Sequence, residues 1–463
     1  MTPIRSIRSR QGQQGVAALA VALVLLFGIT LVAFFTNRSV IFEQRTSANQ
    51  YRSTKAFEMA EAGLEWAVAR LNDDLYMSAS AFCATEGANK FNQRYLPFNA
   101  ANTDFNVVTT ETAPFPGCSV NPSTGATTCS CPTGTSFPSY GDSTHPRFRV
   151  AFTRVDTFTI RITSYGCTNQ GKDCDGSAVT SNASDAVAVV SAVYKMRPTV
   201  ANAPGAGLVT GGGTTLNSGN LNVYNLEASS GGVTIDSGGP VDLGSAIGVY
   251  TLPGTPPRSS VLTYDDALND LTTADTSGDT FFKSFFGKTL SQYQNDSRTW
   301  IITSATCPTD SDRCTSCSTD TACGQAVSDA YNDFGARQFW ADTPTTWTTS
   351  NVTTTSGADK LLASSTAPII FASSANIKLG GSITAYGLFY CATATADAAW
   401  DTTGTGTATV YGAFISRGEF ERSSGTLNLV YDSSLFGEGA VRGTMVRAPG
   451  TWRDRTSNYT TSN

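Results

Sequence analysis

The apolar run VAALAVALVLLFGITLVAFF, residues 16–35, constrains this chain more than any other stretch, because it holds no ionisable side chain. At about 1.5 Å per helical residue it reaches roughly 30 Å, the thickness of a bilayer's hydrocarbon core. Such a segment has to be covered by lipid or by equally apolar helices. Arg5, Arg8 and Arg10 precede it without any acid between them, so the positive-inside rule keeps the N-terminus in the cytoplasm and sends the rest of the chain across. A secretory signal would have a shorter apolar region and a small-residue cleavage site behind it, and neither is present.

The helical pattern continues past the apolar run. Ile41, Ala48, Tyr51, Phe57, Ala60, Leu64, Val68 and Leu71 recur at spacings of three, four and seven, while Glu58, Glu61, Glu65 and Arg70 fall mostly off that stripe. The spacing predicts one continuous helix of roughly 80 Å, apolar all round in its first half and amphipathic in its second.

A short basic leader ending in Gly15, an apolar helix opening at Val16 and an amphipathic continuation containing FEMAEAGLE (residues 57–65) together resemble the type IV prepilins, and in particular the PilX-type minor pilins. The resemblance implies cleavage by prepilin peptidase after Gly15 and N-methylation of Val16. It also implies partners: other minor pilins, the major pilin, a tip adhesin and the inner membrane. Most pilins carry Glu at the fifth mature position, and here Ala20 stands there. The family's Glu is thought to pair with a neighbour's terminal amine in an apolar core, where a lone charge is costly. A subunit without it suits a filament tip, which has no amine ahead of it. K-type pseudopilins of type II secretion share this departure, so a pseudopilus tip subunit is the alternative reading.

Only 15% of the residues are charged and the net charge is −6, with no basic block beyond the leader, which argues against nucleic acid as a partner. The eleven cysteines fall into Cys83, Cys118, Cys129, Cys131, Cys167 and Cys174, then Cys307, Cys314, Cys317 and Cys323, then Cys391 alone. Outside the cytoplasm these are disulfide candidates. Cys167–Cys174 would close the loop TNQGKD, and the other connectivities stay open. Cys314-x-x-Cys317 also has zinc-ligand spacing. Cys391 is left as a buried thiol or a partner for another group.

The organisation expected is α+β: a leader (1–15), a long N-terminal helix (16–72, with 16–35 transmembrane), and a pilin-like globular domain (73–198). The domain's strands alternate clearly at Phe148, Val150 and Phe152, at Phe158, Ile160 and Ile162, and again in AVAVVSAVYKM. An antiparallel meander there would hide the outer half of the helix stripe, and the phrase ITSYG (162–166) resembles the penultimate strand of pilin heads. After the linker TVANAPGAG, short apolar triplets set between Gly, Ser and Asn read as a β-rich solenoid in two parts, 199–256 and 360–463 with its C-terminal tail, the alternative being a β-sandwich whose short strands look alike by composition. SGNLNVY (218–224) is echoed by SGTLNLVY (424–431) with one residue inserted. Tyr386-Gly387 recurs as Tyr411-Gly412 25 residues on, and Tyr431 lies 20 further. Between the parts, 257–359 reads as a partly helical insertion with the second cysteine group. It contains ACGQAVSDAYNDFGARQFW, with Ala326, Ala330, Phe334 and Trp340 near one helix face, and the aromatic cluster DTFFKSFFG, read as packing.

Candidate chemistry is sparse, and no cofactor is expected. Asp275 and Asp279 in DTSGD are calcium candidates, as are Asp310, Asp312 and Asp320 among the cysteines, but no closing bidentate Glu accompanies them. His145 is the single imidazole, and no Gly-x-Ser-x-Gly elbow, HExxH or P-loop surrounds it. Parallel β-helices can host paired catalytic carboxylates, yet Asp236, Asp242, Glu419, Glu421 and Asp432 share no period. An anchored carbohydrate-active enzyme is therefore the remaining alternative to a non-catalytic subunit.

Overall fold

The computed structural model describes residues 14–456, apart from 74, 76, 78–89, 100–103, 107–115, 133–144, 169–173, 175–185, 217–218, 245, 310, 353–359, 394–405, 423 and 437–439. Residues 1–13 of the leader, Cys83 and Asp310 thus lie outside the described residues.

One unbroken helix runs from Gln14 to Leu71, 58 residues, about 87 Å at 1.5 Å per residue. Its last turns lie on an antiparallel sheet of seven strands. The strand Arg147–Asp156 forms a hairpin with Thr159–Cys167, which pairs in turn with Val187–Arg197. The alternating residues do what their period asks: Phe148, Val150, Phe152, Phe158, Ile160 and Ile162 are all buried against the helix and its neighbours. The strands Gly117–Val120 and Thr127–Ser130 extend one edge, stapled to each other by Cys118–Cys129. The other edge is completed by the end of the chain, because Thr444–Arg447 and Arg453–Thr456 both pair antiparallel with Val187–Arg197. The C-terminal tail, expected to follow the second repeat region, belongs to the first sheet.

The remaining residues build a β-rich region around a thirteen-stranded sheet whose ladders are parallel throughout. The echo in the sequence is a pairing in space. Leu427 sits beside Leu221, Asn428 beside Asn222 and Leu429 beside Val223, with Asn222 Nδ2 donating to Asn428 Oδ1 at 2.9 Å. Tyr386 and Tyr411 are register partners whose rings stack at 5.0 Å, and the glycines after them pair too. Gly387 and Gly412 have φ of 147° and 129°, and a Cβ on either would run into the backbone of the strand below. Tyr431 departs from this row. It pairs with Gly412, is buried against Phe436, and donates its hydroxyl to Pro204 O at 2.6 Å.

Residues 257–359 are not set apart from this sheet. They supply Thr299–Thr303, Cys314–Ser316 and Gln338–Ala341 to it. The helix Asp320–Asp333 stops short of the expected apolar face. Gly335 takes φ 74° just beyond it, and Trp340 lies in the buried strand that follows. The cluster Phe281, Phe282, Phe285 and Phe286 is buried in the helix Asp279–Phe286, packed with Tyr293 and Tyr390 over the sheet's outer face.

Candidate assembly surface of the long helix

Up to Tyr51 every described side chain of the long helix is exposed. Val24 is 72% exposed and Phe42 71%, exposure that water would penalise at about 25 cal/mol per Å². By length and composition this helix can cross a membrane. Thr30 and Thr36 do not spoil the apolar stretch, since their hydroxyls donate to Phe27 O at 2.9 Å and Val32 O at 2.7 Å in the helix itself. Gly28 has open space where a Cβ would sit, leaving a notch beside Val24, Leu25 and Val32 of the kind into which a second helix can pack. Gly15 and Val16 fall in the first turn, and Ala20 is an exposed position one turn on.

Burial begins at Ala56 and follows Met59, Ala60, Gly63, Leu64, Ala67 and Leu71. The stripe is therefore shorter than its periodicity. Ile41 and Tyr51 remain 47% and 72% exposed, because the sheet reaches only the last four turns. The two phrases that carried the pilin resemblance meet here. Gly63 of AEAGLE faces Ser164 and Phe148 with no room for a Cβ, and Gly166 of ITSYG lies equally close to the backbone of Ala56 and Ala60. The helix and the strand are thus in backbone contact, a distance only glycine permits.

Past Leu71 the helix is tied to both sheets by polar residues that sequence reasoning missed. Asn72 exchanges hydrogen bonds with Met445 backbone at 3.1 and 2.7 Å, and Asp73 accepts from Arg70 at 3.0 Å and from Arg313 at 2.5 Å. Nearby, Asp296 accepts from Lys288 and Arg298, both at 2.9 Å. Burial pushes its carboxyl up, but the charges and hydrogen bonds of Arg298 and Lys288 outweigh that and hold it well below the usual range. Arg298 reaches on to Arg442 O and Thr444 Oγ1, so one buried cluster joins the large sheet to the tail strand of the small one. No period or motif marks these residues; only the returning tail brings them together.

Asp275 and Asp279 serve as turn residues. The Asp275 carboxylate accepts from the backbone of Gly278, Asp279 and Thr280, and hydrogen bonds from Thr280 and Ser277 keep its pKa low. Asp279 Oδ1 accepts from Leu290 N, and the Arg417 guanidinium donates to Asp275 O and Thr276 O. A cation already occupies the loop's carbonyls, which disfavours calcium there. Among the described residues no three or more of His, Cys, Asp and Glu gather as for a metal. Cys307–Cys314 and Cys317–Cys323 are disulfides, which removes the thiolates zinc would need, and Cys167 is joined to Cys174. Cys131 is disulfide-bonded as well. Cys391 is a buried thiol beside Thr393 Oγ1 at 3.0 Å, and burial pushes its pKa up.

The scattered carboxylates are mostly absorbed locally. Asp242 and Asp432 accept from backbone two residues on, and Glu419 accepts from Thr215. Asp236 differs. Burial, then the charge and hydrogen bond of Asp265, push it up to about 6.

A long helix exposing apolar side chains along most of its length and seated on an antiparallel sheet through its last turns defines a pilin-like α+β protein. Residues 14–65 match the family model described as PilX N-terminal, so the long helix is the part of this chain whose sequence is similar to that family. No curated protein matches. Among solved structures, the competence-associated pilin ComZ from Thermus thermophilus is similar at 12% identity and a TM-score of 0.22, over 88% of this chain and 98% of that one. At that score the likeness carries no weight.

Proposed function

We propose that the chain is a non-catalytic minor pilin of a type IV pilus, anchored N-in and C-out by residues 16–35 and then drawn into a priming or tip complex. The observation that carries this reading is the exposed apolar helix within the PilX N-terminal match. Its side chains need lipid before assembly and neighbouring pilin helices after it. Prepilin peptidase would cut between Gly15 and Val16 and methylate Val16. Ala20 leaves no carboxylate for a preceding subunit's amine, which supports a place at the filament end, beside other minor pilins and a tip adhesin. The parallel, in-register ladders support reading the C-terminal region as one solenoid whose two parts meet where Thr426–Tyr431 lies on Asn220–Tyr224. In a deletion strain, surface piliation should fall; normal piliation would sink the priming role. Mass spectrometry should find Val16 at the N-terminus of the native protein and an intact leader in Gly15→Trp.

A further inference from the structure

The parallel stack ends differently at its two edges. One terminal strand, Cys314–Ser316, is three residues long, joined by disulfide to Cys307 at its start and followed at once by the Cys317–Cys323 bridge, a blunted edge. At the other end, among the described residues, Ile247–Tyr250 pairs only with Asn220–Tyr224, and Val261–Leu262 only with Ile235–Ser237. Leu221 N donates to Ala246 O and Asn225 N to Tyr250 O. The alternation of a ladder therefore turns the N–H and C=O of Ile247 and Val249 outward, and among the described residues no hydrogen bond reaches them.

Apolar surface gathers at this same end. Of the eight large hydrophobic side chains exposed outside the long helix among the described residues, four, Leu226 (63%), Tyr250 (46%), Leu262 (43%) and Tyr264 (67%), belong to the last rungs or the turns beside them. The Tyr250 ring stacks on Tyr224 at 4.3 Å, and among the described residues no further ring covers its outer face. Tyr264 sits at φ 56°, rare for a bulky residue, with its ring in solvent. Charge completes the picture. Between Gly205 and Ala274 stand six acids, Glu227, Asp236, Asp242, Asp265, Asp266 and Asp270, against the single base Arg258.

We propose that this open end takes up an extended segment of a different protein as one more strand, and that the segment is basic and carries an aromatic residue in register with Tyr250. Backbone pairing with Ile247 and Val249 would supply the affinity, and the Tyr250 and Tyr264 rings the side-chain preference. The acids favour a lysine- or arginine-bearing strand and set two copies of this chain against each other, so the occupant is not a second copy. None of this requires the pilus reading.

The test uses the full chain in detergent micelles and a labelled, end-blocked octapeptide of alternating Val and Tyr with two Lys at each end. Two controls accompany it, one with Glu in place of Lys and one with backbone N-methyl groups. The basic peptide should bind at least about tenfold tighter than either control, weaken with salt, and slow amide exchange at Ile247 and Val249. Val249→Pro removes the outward donor together with a half-buried side chain that packs on the core, and Tyr264→Asn suits the left-handed backbone and leaves the core untouched; each should weaken binding about tenfold, and the melting temperature of Tyr264→Asn should hold. Absence of binding by the basic peptide, equal binding of the Lys and Glu peptides, or full affinity in Val249→Pro would each overturn the proposal. So would self-association of the full chain that Val249→Pro abolishes, since the edge would then serve a second copy.

Discussion

The two sheets are held together in opposite ways. In the antiparallel sheet the partners are distant in sequence and unlike in kind: a helix, a meander, and a tail that returns to the Val187–Arg197 strand from residues 444–456. In the parallel stack the partners are alike, Asn on Asn and Tyr on Tyr, each rung resting on the next. Both nevertheless need distant segments to meet: residues 444–456 close the first, and in the second Asn220–Tyr224 lies on Thr426–Tyr431. Each has its own apolar core, and they are joined by buried polar residues together with Leu75, which enters the large sheet's core from just past the helix. The contrast locates the weak points: the buried ions of the junction, the glycine contacts under the helix, and the amide pair in the stack.

The junction should break hardest. Asp296→Ala would leave Arg298, whose side chain is 3% exposed, and Lys288 without their shared carboxylate, at a cost of about 3–5 kcal/mol. Because the folded-state pKa of Asp296 is depressed, its contribution is present above the unfolded carboxylate pKa and is lost as pH falls through the folded value. Urea unfolding should show the deficit at pH 7 and a smaller one in strong acid. A loss below about 1 kcal/mol at pH 7 would mean the two bodies do not lean on this cluster. Next, Gly166→Val drives a side chain into the Ala56–Ala60 backbone and should cost about 3 kcal/mol. Amide exchange should speed up in the antiparallel strands and stay unchanged at Thr384–Cys391. Equal loosening in both would erase the distinction drawn between them. In the stack itself, Asn222→Leu removes one amide hydrogen bond on a part-buried face and should cost about 1 kcal/mol. If Asn428→Leu in the same chain adds nothing further, the pair acts as one unit.

How much of this the sequence disclosed follows from the range of the interactions. The helix, the hairpin and the third strand were legible because Phe148 to Ile162 and Ala60 to Leu71 obey local periods that burial enforces. Part of the stack was legible for a related reason, since rungs that touch carry similar residues, and SGNLNVY and SGTLNLVY prove to be neighbours. The inserted residue hid the register at Tyr431, which falls one place past the Tyr row. What stayed illegible was long-range and irregular. Nothing in Thr444–Arg447 announces that it completes a sheet some 250 residues back, and the strand Gln338–Ala341 was masked by the helical look of the segment before it. The junction cluster of Asp73, Asp296, Arg298 and Arg313 has no spacing to read, since its members lie on segments that only the finished fold brings together. Asp275 is ambiguous in a plainer way. An Asp-rich turn and a calcium loop use the same residues, and here its carboxylate accepts from the backbone N–H groups of Gly278, Asp279 and Thr280.

The smallest effect runs against the usual direction for a carboxylate. Asp236 lies beside Asp265, and burial followed by that neighbour's charge pushes it up to about 6 from an ordinary 3.8. A raised folded-state pKa means that the native protein holds the proton more tightly than the unfolded chain. Stability at this site is therefore greatest at low pH and declines as pH rises from about 4 through 6, levelling off beyond. A shift of about two units corresponds to about 3 kcal/mol, which partial exposure reduces to about 1 kcal/mol. Asp236→Asn keeps the shape and stays neutral, so it should be more stable than the native chain by about 1 kcal/mol at pH 7 and no more stable at pH 4. Because Asp236 pairs with Leu262 in the last rung, the gain should appear as slower amide exchange there and not in the antiparallel sheet. A stability difference of the same size at both pH values would show that the two carboxyls do not share a proton, and that the acidic end of the stack is fully charged.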